Sequence, residues 1–386
     1  MEQVYTFMNK NIELFDVEME EGTALKITNR RENNAHLLPV GLLPRRNHVP
    51  GTAGFRSWWS GRRIPASRVG VKELLEHFEY GNMNLDYLAE KAFGLSLSDQ
   101  YWLRISPEVK WSDVNFFENP FSDDIGELLM KVPKESDIDL KSPDNTSDGV
   151  IRKRWKIIDN NRYLIKGSSS SEVLQPQPFR EVFAGQVAEV LFSCESLPFQ
   201  KVVPYSLLRT DNLAFSKCAN FVTTETEYVP FNHINTTYSW QRTNNQSYYS
   251  WALEWFREYG VCLDLLLILD YILLNEDRHF GNFGFIRCVN TGNLLYPAPV
   301  FDTGNCLFYD SVNILPSKLN CKPFTTDFEK QIAYVDLSRY GEHLSLLQQS
   351  VASIFAESFL NCYESTERLE NILTVVQNRI MKLLSK

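Results

Sequence analysis

Three residues whose side chains carry oxygen atoms occur near one another in the sequence, in the last third of the chain: Asp277, Asn282 and Asp302. Asp277 and Asn282 lie in residues 275–284, and Asp302 opens the tripeptide Asp-Thr-Gly twenty residues after Asn282. Carboxylate and amide oxygens are the ligands that Mg²⁺ prefers, and a carboxylate can also orient a hydroxyl group. The set therefore predicts phosphoryl transfer from ATP, with Asp277 serving the acceptor hydroxyl while Asn282 and Asp302 hold Mg²⁺.

The spacing of these residues is that of a protein-kinase site, D-x-x-x-x-N followed by D-x-G. Asp and Asn alone are common at helix caps and turns, so the interpretation depends on all three elements occurring in order. His279, inside the loop, either takes part in the chemistry or braces the loop, and the second role is favoured. Arg278 either braces the loop or reaches a phosphate.

A cation for the ATP phosphates is expected at Lys166, which ends a predicted strand. Its acidic partner should lie on the next helix, where Glu181 is preferred and Glu189 is the alternative. Residues 142–156 contain neither G-x-G-x-x-G nor G-x-x-x-x-G-K-[ST]. The backbone amides of residues 146–149, which include Ser147, Asp148 and Gly149, are the candidates for cradling phosphate oxygens.

The elements that position these residues follow from local patterns. Two short β-type runs, 153–158 and 162–166, flank Asp159-Asn160-Asn161 and predict a hairpin. Residues 178–191 begin with Pro and predict an amphipathic helix that packs on this sheet. Further strands are predicted at 200–204, 219–223 and 297–301, helices at 71–78, 85–93 and 124–130, and a mainly helical chain after residue 247, apart from 275–308.

The fold class indicated by this order is α+β. A polar, turn-rich segment, residues 134–149, is typical of a linker or mobile loop. It separates a mostly helical N-terminal accessory region, 1–133, with some strand at its start, from a β-rich small lobe, 134–245, and a helical large lobe, 246–386.

Composition excludes several other classes. The 386 residues carry 39 Lys and Arg against 48 Asp and Glu, a net charge of −9 that argues against wholesale coating of nucleic acid or anionic membrane. Seven cysteines form no C-x-x-C pair, as expected for reduced thiols. Early acidic residues and no apolar segment at the N-terminus predict that it is not a signal peptide, and the apolar run 263–274 predicts a buried core helix. We therefore expect a cytoplasmic protein without a membrane segment.

Residues 142–380 resemble the HipA-like serine/threonine kinases, bacterial toxin-type enzymes with a two-lobed kinase-like fold. The likeness is carried by D-R-H-x-x-N, D-T-G, Lys166 and the helix after it. It implies that Asp277 is the catalytic base, that Asn282 and Asp302 bind Mg²⁺ and that Lys166 binds ATP. It also implies autophosphorylation of a flexible phosphate loop at Ser147, or else at Ser142, and a possible antitoxin or DNA-binding partner.

Two further segments leave alternatives open. Residues 45–68 combine six arginines with Trp58 and Trp59, and they either bind nucleic acid or clamp the acidic body of the same chain. Residues 167–171, GSSSS, form either a second phosphate loop or a solvated turn, and the turn is favoured. The competing functions are a small-molecule or lipid kinase and a nucleotide-binding pseudokinase or interaction module.

Overall fold

The computed structural model describes residues 2–46, 48–77, 85–130, 138–168, 176–210 and 213–386. The chain divides into two compact units. The first comprises Met1–Ile165, Asn220–Gln241 and Ile286–Leu295, and the second comprises Lys166–Ala219, Arg242–Phe285 and Tyr296–Lys386. The three consecutive regions expected from the sequence are a different division and stay a prediction.

The first unit begins with an antiparallel sheet of order β3-β2-β1-β4, formed by β1 (Gln3–Asn9), β2 (Ile12–Glu20), β3 (Thr23–Thr28) and β4 (Tyr101–Arg104). Alternation along β1 turns Tyr5 and Phe7 into the core. Phe7 packs against Phe15 and Phe55 with ring centroids 4.8 and 5.2 Å apart. The sheet is larger than the sequence indicated.

Short helices accompany this sheet: α1 (Thr52–Ser60), α2 (Val71–His77), α3 (Leu85–Lys91), α4 (Trp111–Val114) and α5 (Asp124–Leu129). The predicted helices at 71–78, 85–93 and 124–130 are confirmed within a residue or two at their ends. Position 78 lies outside the described residues.

The predicted hairpin is confirmed as β5 (Lys153–Ile158) and β6 (Asn161–Lys166). Asp159 and Asn160 both adopt positive φ, 48° and 62°. Asp and Asn tolerate this conformation, and two such residues make the tight turn that suits twisted strands. The turn residues therefore fix where β6 begins, and Lys166 is the last residue of that strand.

Helix α6 (Pro176–Ser193) confirms the predicted helix but is buried on nearly all sides, so its expected amphipathic character is wrong. It is followed by the antiparallel pair β7 (Tyr205–Arg209) and β8 (Ala214–Ala219). The strands predicted at 200–204 and 219–223 are wrong. Pro204 offers no N–H for a ladder, and only Val202 makes an isolated bridge, to Val300.

The rest of the chain contains β9 (Thr226–Pro230), α7 (Phe231–Tyr238), α8 (Tyr248–Phe256), α9 (Gly260–Leu273), β10 (Gly284–Cys288), β11 (Leu294–Pro297), α10 (Phe328–Ile332), α11 (Gly341–Ser358) and α12 (Thr366–Leu384). β11 ends at Pro297, so the strand predicted at 297–301 is wrong. Residues 309–327 hold one 3₁₀ turn and are otherwise irregular, which departs from the helical expectation.

Helix α9 is the buried centre of the second unit, as its sequence predicted. It packs against α6, α8, α10 and α12, and Leu263–Leu274 is at most 5% exposed at every position. Its C-terminal end delivers the chain to the loop that carries Asp277. Among the described helices, none combines the length and apolar character needed to cross a membrane.

Candidate active site

A buried lysine between two carboxylates forms the centre of the site. Lys166, 3% exposed, donates from Nζ to Glu181 Oε2 at 2.6 Å and also contacts Asp302 Oδ1. Burial alone would lower the pKa of Lys166, but the carboxylates of Asp302 and Glu181 outweigh it and raise that pKa. Lys166 therefore pairs with Glu181, as expected, and the lysine is charged. Glu189 has no part in this pair.

The segment Asp302-Thr303-Gly304 is fitted closely against α6. Thr303 N donates to Glu181 Oε1 at 3.0 Å, so Glu181 holds both this backbone and Lys166. A Cβ at Gly304 would lie 2.7 Å from Glu181 Oε2 and 3.3 Å from the carbonyl oxygen of Gln177. Asp302 has φ 55°, a conformation that Asp tolerates better than most residues. Glycine is therefore required at position 304, because helix α6 lies too close to leave room for a side chain.

The loop that carries Asp277 is built from the end of α9. Leu274 adopts the left-handed conformation that closes the helix. Asn275 Nδ2 donates to Asp270 Oδ1 at 2.8 Å, and Asn275 Oδ1 accepts from Asp277 N at 3.1 Å. Asn282 Nδ2 donates to the carbonyl oxygen of Asp277 at 3.1 Å, which directs its amide nitrogen into the loop. Oδ1 is the end of the Asn282 amide suited to a metal ion.

Arg278 joins this loop to the Asp302 segment. Its side chain is fully buried and pairs with Asp270, Nε to Oδ2 at 3.0 Å. Nη1 donates to the carbonyl oxygens of Asn282 and Phe301 at 3.0 and 2.8 Å, and Nη2 donates to Thr303 Oγ1 at 2.8 Å. Of its two expected roles, bracing the loop is therefore the one that the contacts support.

His279 has a local contact consistent with its favoured bracing role. The side chain is exposed, and Nδ1 accepts from Gly281 N at 3.0 Å. A Cβ at Gly281 would lie 2.8 Å from this ring, so the small residue permits the contact.

Two partners of Asp277 were missed by sequence reasoning. Asn305 Nδ2 donates to Asp277 Oδ2 at 3.0 Å, and Lys322 Nζ donates to Oδ1 at 2.9 Å. Asn305 directly follows Asp-Thr-Gly, so its position in the motif was an available signal. Lys322 lies in an irregular segment that no pattern marks, and only the fold brings it to Asp277.

Two residues near the C-terminus, Glu364 and Arg368, support helix α6. Arg180, next to Glu181 and fully buried, donates to Glu364 Oε2 at 2.7 Å and to the carbonyl oxygen of Leu307 at 3.0 Å. Arg368 also pairs with Glu364, at 2.7 Å. Burial would raise the pKa of Glu364, but the arginines lower it, so the carboxylate stays charged between them. We call these residues the Arg180–Glu364–Arg368 cluster.

The predicted phosphate-loop residues belong to the first unit. Residues 142–147 are buried around a 3₁₀ turn, so the expectation of a mobile linker is wrong for them. Ser147 Oγ accepts from Arg68 Nη1 at 2.7 Å and donates to the carbonyl oxygen of Asp144 at 3.0 Å. Asp148 is exposed, and Gly149 has φ 94°. Residues 131–137 and 169–175 lie outside the described residues, which covers part of the predicted linker and of the 167–171 segment.

Arginines of the 45–68 segment make contacts within the first unit. Arg62 forms a bidentate pair with Asp99 at 2.5 and 2.7 Å, and Arg56 donates to the carbonyl oxygen of Leu25 at 3.2 Å. Trp59 is 2% exposed. Together with the Arg68 contact, these bonds hold the segment within the first unit, and the two interpretations, nucleic-acid binding and a clamp on the acidic body, both stay predictions.

Comparison with known proteins gives a short sequence match. No family model matches the sequence. The serine/threonine-protein kinase CtkA of Helicobacter pylori is 32% identical over 111 residues, which is 26% of this chain and 34% of that relative. The match thus spans about a third of the relative's length.

The structural likeness is broader. The crystal structure of the Helicobacter pylori proinflammatory kinase CtkA gives a TM-score of 0.48 at 20% identity, covering 63% of this chain and 94% of that one. HipA of Shewanella oneidensis, solved with HipB and operator DNA, gives 0.55 at 11% identity, covering 99% and 97%. The chain therefore has the α+β, kinase-like fold of HipA, which confirms at the level of fold the resemblance seen in the sequence.

Proposed function

We propose that the protein is an ATP- and Mg²⁺-dependent phosphotransferase, and specifically a protein serine/threonine kinase. The observation that carries this proposal is the buried Lys166 cation, held by Glu181 and in contact with Asp302. Structural ion pairs also exist in cores, but this one joins the residues that the kinase pattern selects. Arg278 connects it to the loop of Asp277.

The donor set fits the groups that the reaction requires. Asn282 Oδ1 and the Asp302 carboxylate are hard oxygen ligands, and Lys166 is a charged donor for phosphate oxygens. Mg²⁺ bound there would neutralise charge on the phosphates. When nucleotide binds, Lys166 would exchange part of its contact with Asp302 for phosphate, which releases that carboxylate for the metal.

Asp277 has the exposure needed to meet an acceptor. Its side chain is 33% exposed, in contrast to the buried Lys166 and Glu181. A carboxylate at this position would accept the proton of a serine or threonine hydroxyl as it attacks the γ-phosphate. The similarity of a 111-residue segment to a serine/threonine kinase supports a protein acceptor.

Autophosphorylation of Ser147 is part of the proposal. Ser147 is 9% exposed and its hydroxyl contacts Arg68. A modification there would require this contact to open. A toxin role with an antitoxin or DNA-binding partner, in the cytoplasm, also remains a proposal. It is supported by a neighbour that was solved with HipB and operator DNA.

The test is transfer of labelled γ-phosphate from Mg·ATP by the full chain, alone and with added protein. Asp277→Asn and Asp302→Asn are the comparison variants, and Asn suits the positive φ at 302. We expect label on serine, mapped by mass spectrometry, which is lost in both variants. Label that persists in both would reject the site.

The competing functions give different outcomes in the same experiment. ATP consumption only after addition of a metabolite or lipid would identify a small-molecule or lipid kinase. Saturable ATP binding without turnover under any condition would identify a pseudokinase.

A further inference from the structure

Asn305 forms hydrogen bonds with the loop of Asp277 at two points. Its side-chain Nδ2 donates to Asp277 Oδ2 at 3.0 Å, and its backbone carbonyl accepts from Glu276 N at 3.2 Å. Side chain and main chain of one residue thus hold two consecutive residues of the loop. This arrangement fixes both the position of the loop and the orientation of the Asp277 carboxylate.

Asn305 is itself held from helix α6. Gln177 Nε2 donates to Asn305 Oδ1 at 2.8 Å, and Ser168 Oγ donates to Gln177 Oε1 at 2.7 Å. Gln177 is 2% exposed and lies one helical turn before Glu181. The row Ser168, Gln177, Asn305, Asp277 is therefore a continuous set of hydrogen bonds, which we call the amide relay.

The chemistry of the groups sets the direction of every bond in the amide relay. An ionised carboxylate only accepts, so Asn305 must present its NH₂ to Asp277 and its carbonyl oxygen to Gln177. Gln177 must then present its NH₂ to Asn305 and its oxygen to the Ser168 hydroxyl. Rotating either amide by 180° would face donor with donor or acceptor with acceptor, so one orientation is selected.

The two oxygens of Asp277 have different surroundings. Oδ2 faces Asn305, whereas Oδ1 faces Lys322, whose side chain is 52% exposed. Lys322 can move into solvent at little cost because it is exposed and long. Movement of Lys322 would leave Oδ1 open to an incoming hydroxyl.

We propose that Asn305 is the positioning residue of the base Asp277, that Gln177 locks it, and that Oδ1 is the oxygen that receives the acceptor proton. This rests on the proposed phosphotransferase function. Under this proposal helix α6 has two functions. Glu181 holds Lys166, the lysine for the ATP phosphates, and Gln177, through Asn305, orients the base Asp277.

Kinetics of three variants test the amide relay. Asn305→Leu removes the amide at similar size, and Gln177→Met removes the second one. We expect Asn305→Leu to lower kcat by about 10- to 100-fold, the cost of a misplaced catalytic group, with KM for Mg·ATP within about threefold. Gln177→Met should lower kcat less, and the double variant should match Asn305→Leu, because both act through Asp277.

The matched control is Gln186→Met, the same change on the same helix. Gln186 accepts from Ser358 Oγ at 2.6 Å and takes no part in the amide relay. It should leave kcat near the wild-type value. The proposal would be overturned if Gln177→Met and Gln186→Met lowered kcat equally. It would also be overturned if the fold-reduction of kcat in the double variant were the product of the two single reductions.

A second readout separates orientation from stability. Asn305→Asp keeps the shape but places a carboxylate beside Asp277, which disfavours the charged form of both. The acid limb of the kcat profile should therefore move to higher pH in Asn305→Asp and not in Asn305→Leu. An unmoved profile contradicts the Asn305–Asp277 contact.

A third readout does not need activity. Amide hydrogen exchange of residues 275–282 should be faster in Asn305→Leu than in wild type, and unchanged in Gln186→Met. If wild type transfers no phosphate, the proposed function fails while exchange still decides whether Asn305 holds the loop. Unchanged exchange in Asn305→Leu would reject the amide relay.

Discussion

Arg278 Nε lies 3.0 Å from Asp270 Oδ2, and neither side chain is exposed to solvent. Burial raises the pKa of Asp270, with Arg278 acting in the opposite direction. The pair lies under the loop of Asp277, so its integrity decides whether that loop keeps its shape. A salt bridge in this position is a requirement of the site more than a source of net stability.

Arg278→Met should destabilise the protein by about 3–5 kcal/mol, because it leaves Asp270 buried without its counter-charge. Urea unfolding gives the free energy. The double variant Asp270→Asn/Arg278→Met should recover part of that loss and yet remain inactive, since the bonds to Phe301 and Thr303 are still missing. A single variant as stable as wild type would contradict the description of this pair.

Lys166→Met should lower phosphate transfer by about 10²- to 10³-fold, the usual effect of removing one charged donor at a reacting group. The control is Lys318→Met, a lysine at an exposed position in the described part of the second unit. It should leave transfer unchanged. Transfer at the wild-type rate in Lys166→Met would remove this residue from the site.

Gly304→Ala should raise KM for Mg·ATP by about tenfold, because the new Cβ, 2.7 Å from Glu181 Oε2, displaces the partner of Lys166. Gly341→Ala is a matched change with no atom within 4 Å of the added Cβ. It should leave KM unaltered. The prediction is wrong if both variants bind nucleotide equally well in steady-state kinetics.

Asp144 predicts a pH dependence of stability. Burial raises the pKa of Asp144 from 3.8 to about 7, against the opposing effect of its bond to Trp155 N. Because the folded pKa is above the unfolded one, the stability linked to this group is fully present below about pH 4 and is lost as the pH rises through about 7. The loss is on the order of 4 kcal/mol.

Asp144→Asn removes this titration while keeping an acceptor for Trp155 N. Relative to wild type it should be more stable by a few kcal/mol at pH 8 and by much less at pH 5, measured by chemical unfolding. Asp139→Asn, at an exposed position, is the control and should show no such difference. A constant difference between Asp144→Asn and wild type at both pH values would contradict the prediction.

Local chemistry explains what was predictable. The β5–β6 hairpin follows from Asp159 and Asn160, which accept positive φ, and the pairing of Lys166 with Glu181 follows from a strand end and the first turns of the next helix. The chemistry indicated by the order of Asp277, Asn282 and Asp302 stays a prediction. The hairpin and the lysine–glutamate pair were predictable because each depends on few residues that are close in sequence.

The remainder depends on tertiary packing. Lys322 reaches Asp277 through an irregular segment, and no periodicity marks such a path. The polar neighbours of Ser147 predict a mobile loop, but Ser147 is buried and accepts hydrogen bonds from Arg68. The sequence predicts an amphipathic helix α6, but its polar Arg180 and Glu181 are buried. Each has a partner more than a hundred residues away, Glu364 for Arg180 and Thr303 N for Glu181.

The Arg180–Glu364–Arg368 cluster makes the position of Glu181 depend on a segment far along the chain. Shortening the protein before residue 364 would remove Glu364 and leave the buried Arg180, one residue from Glu181, without its counter-charge. The position of Glu181, and with it that of Lys166, would then change, although every residue of the kinase pattern would still be present.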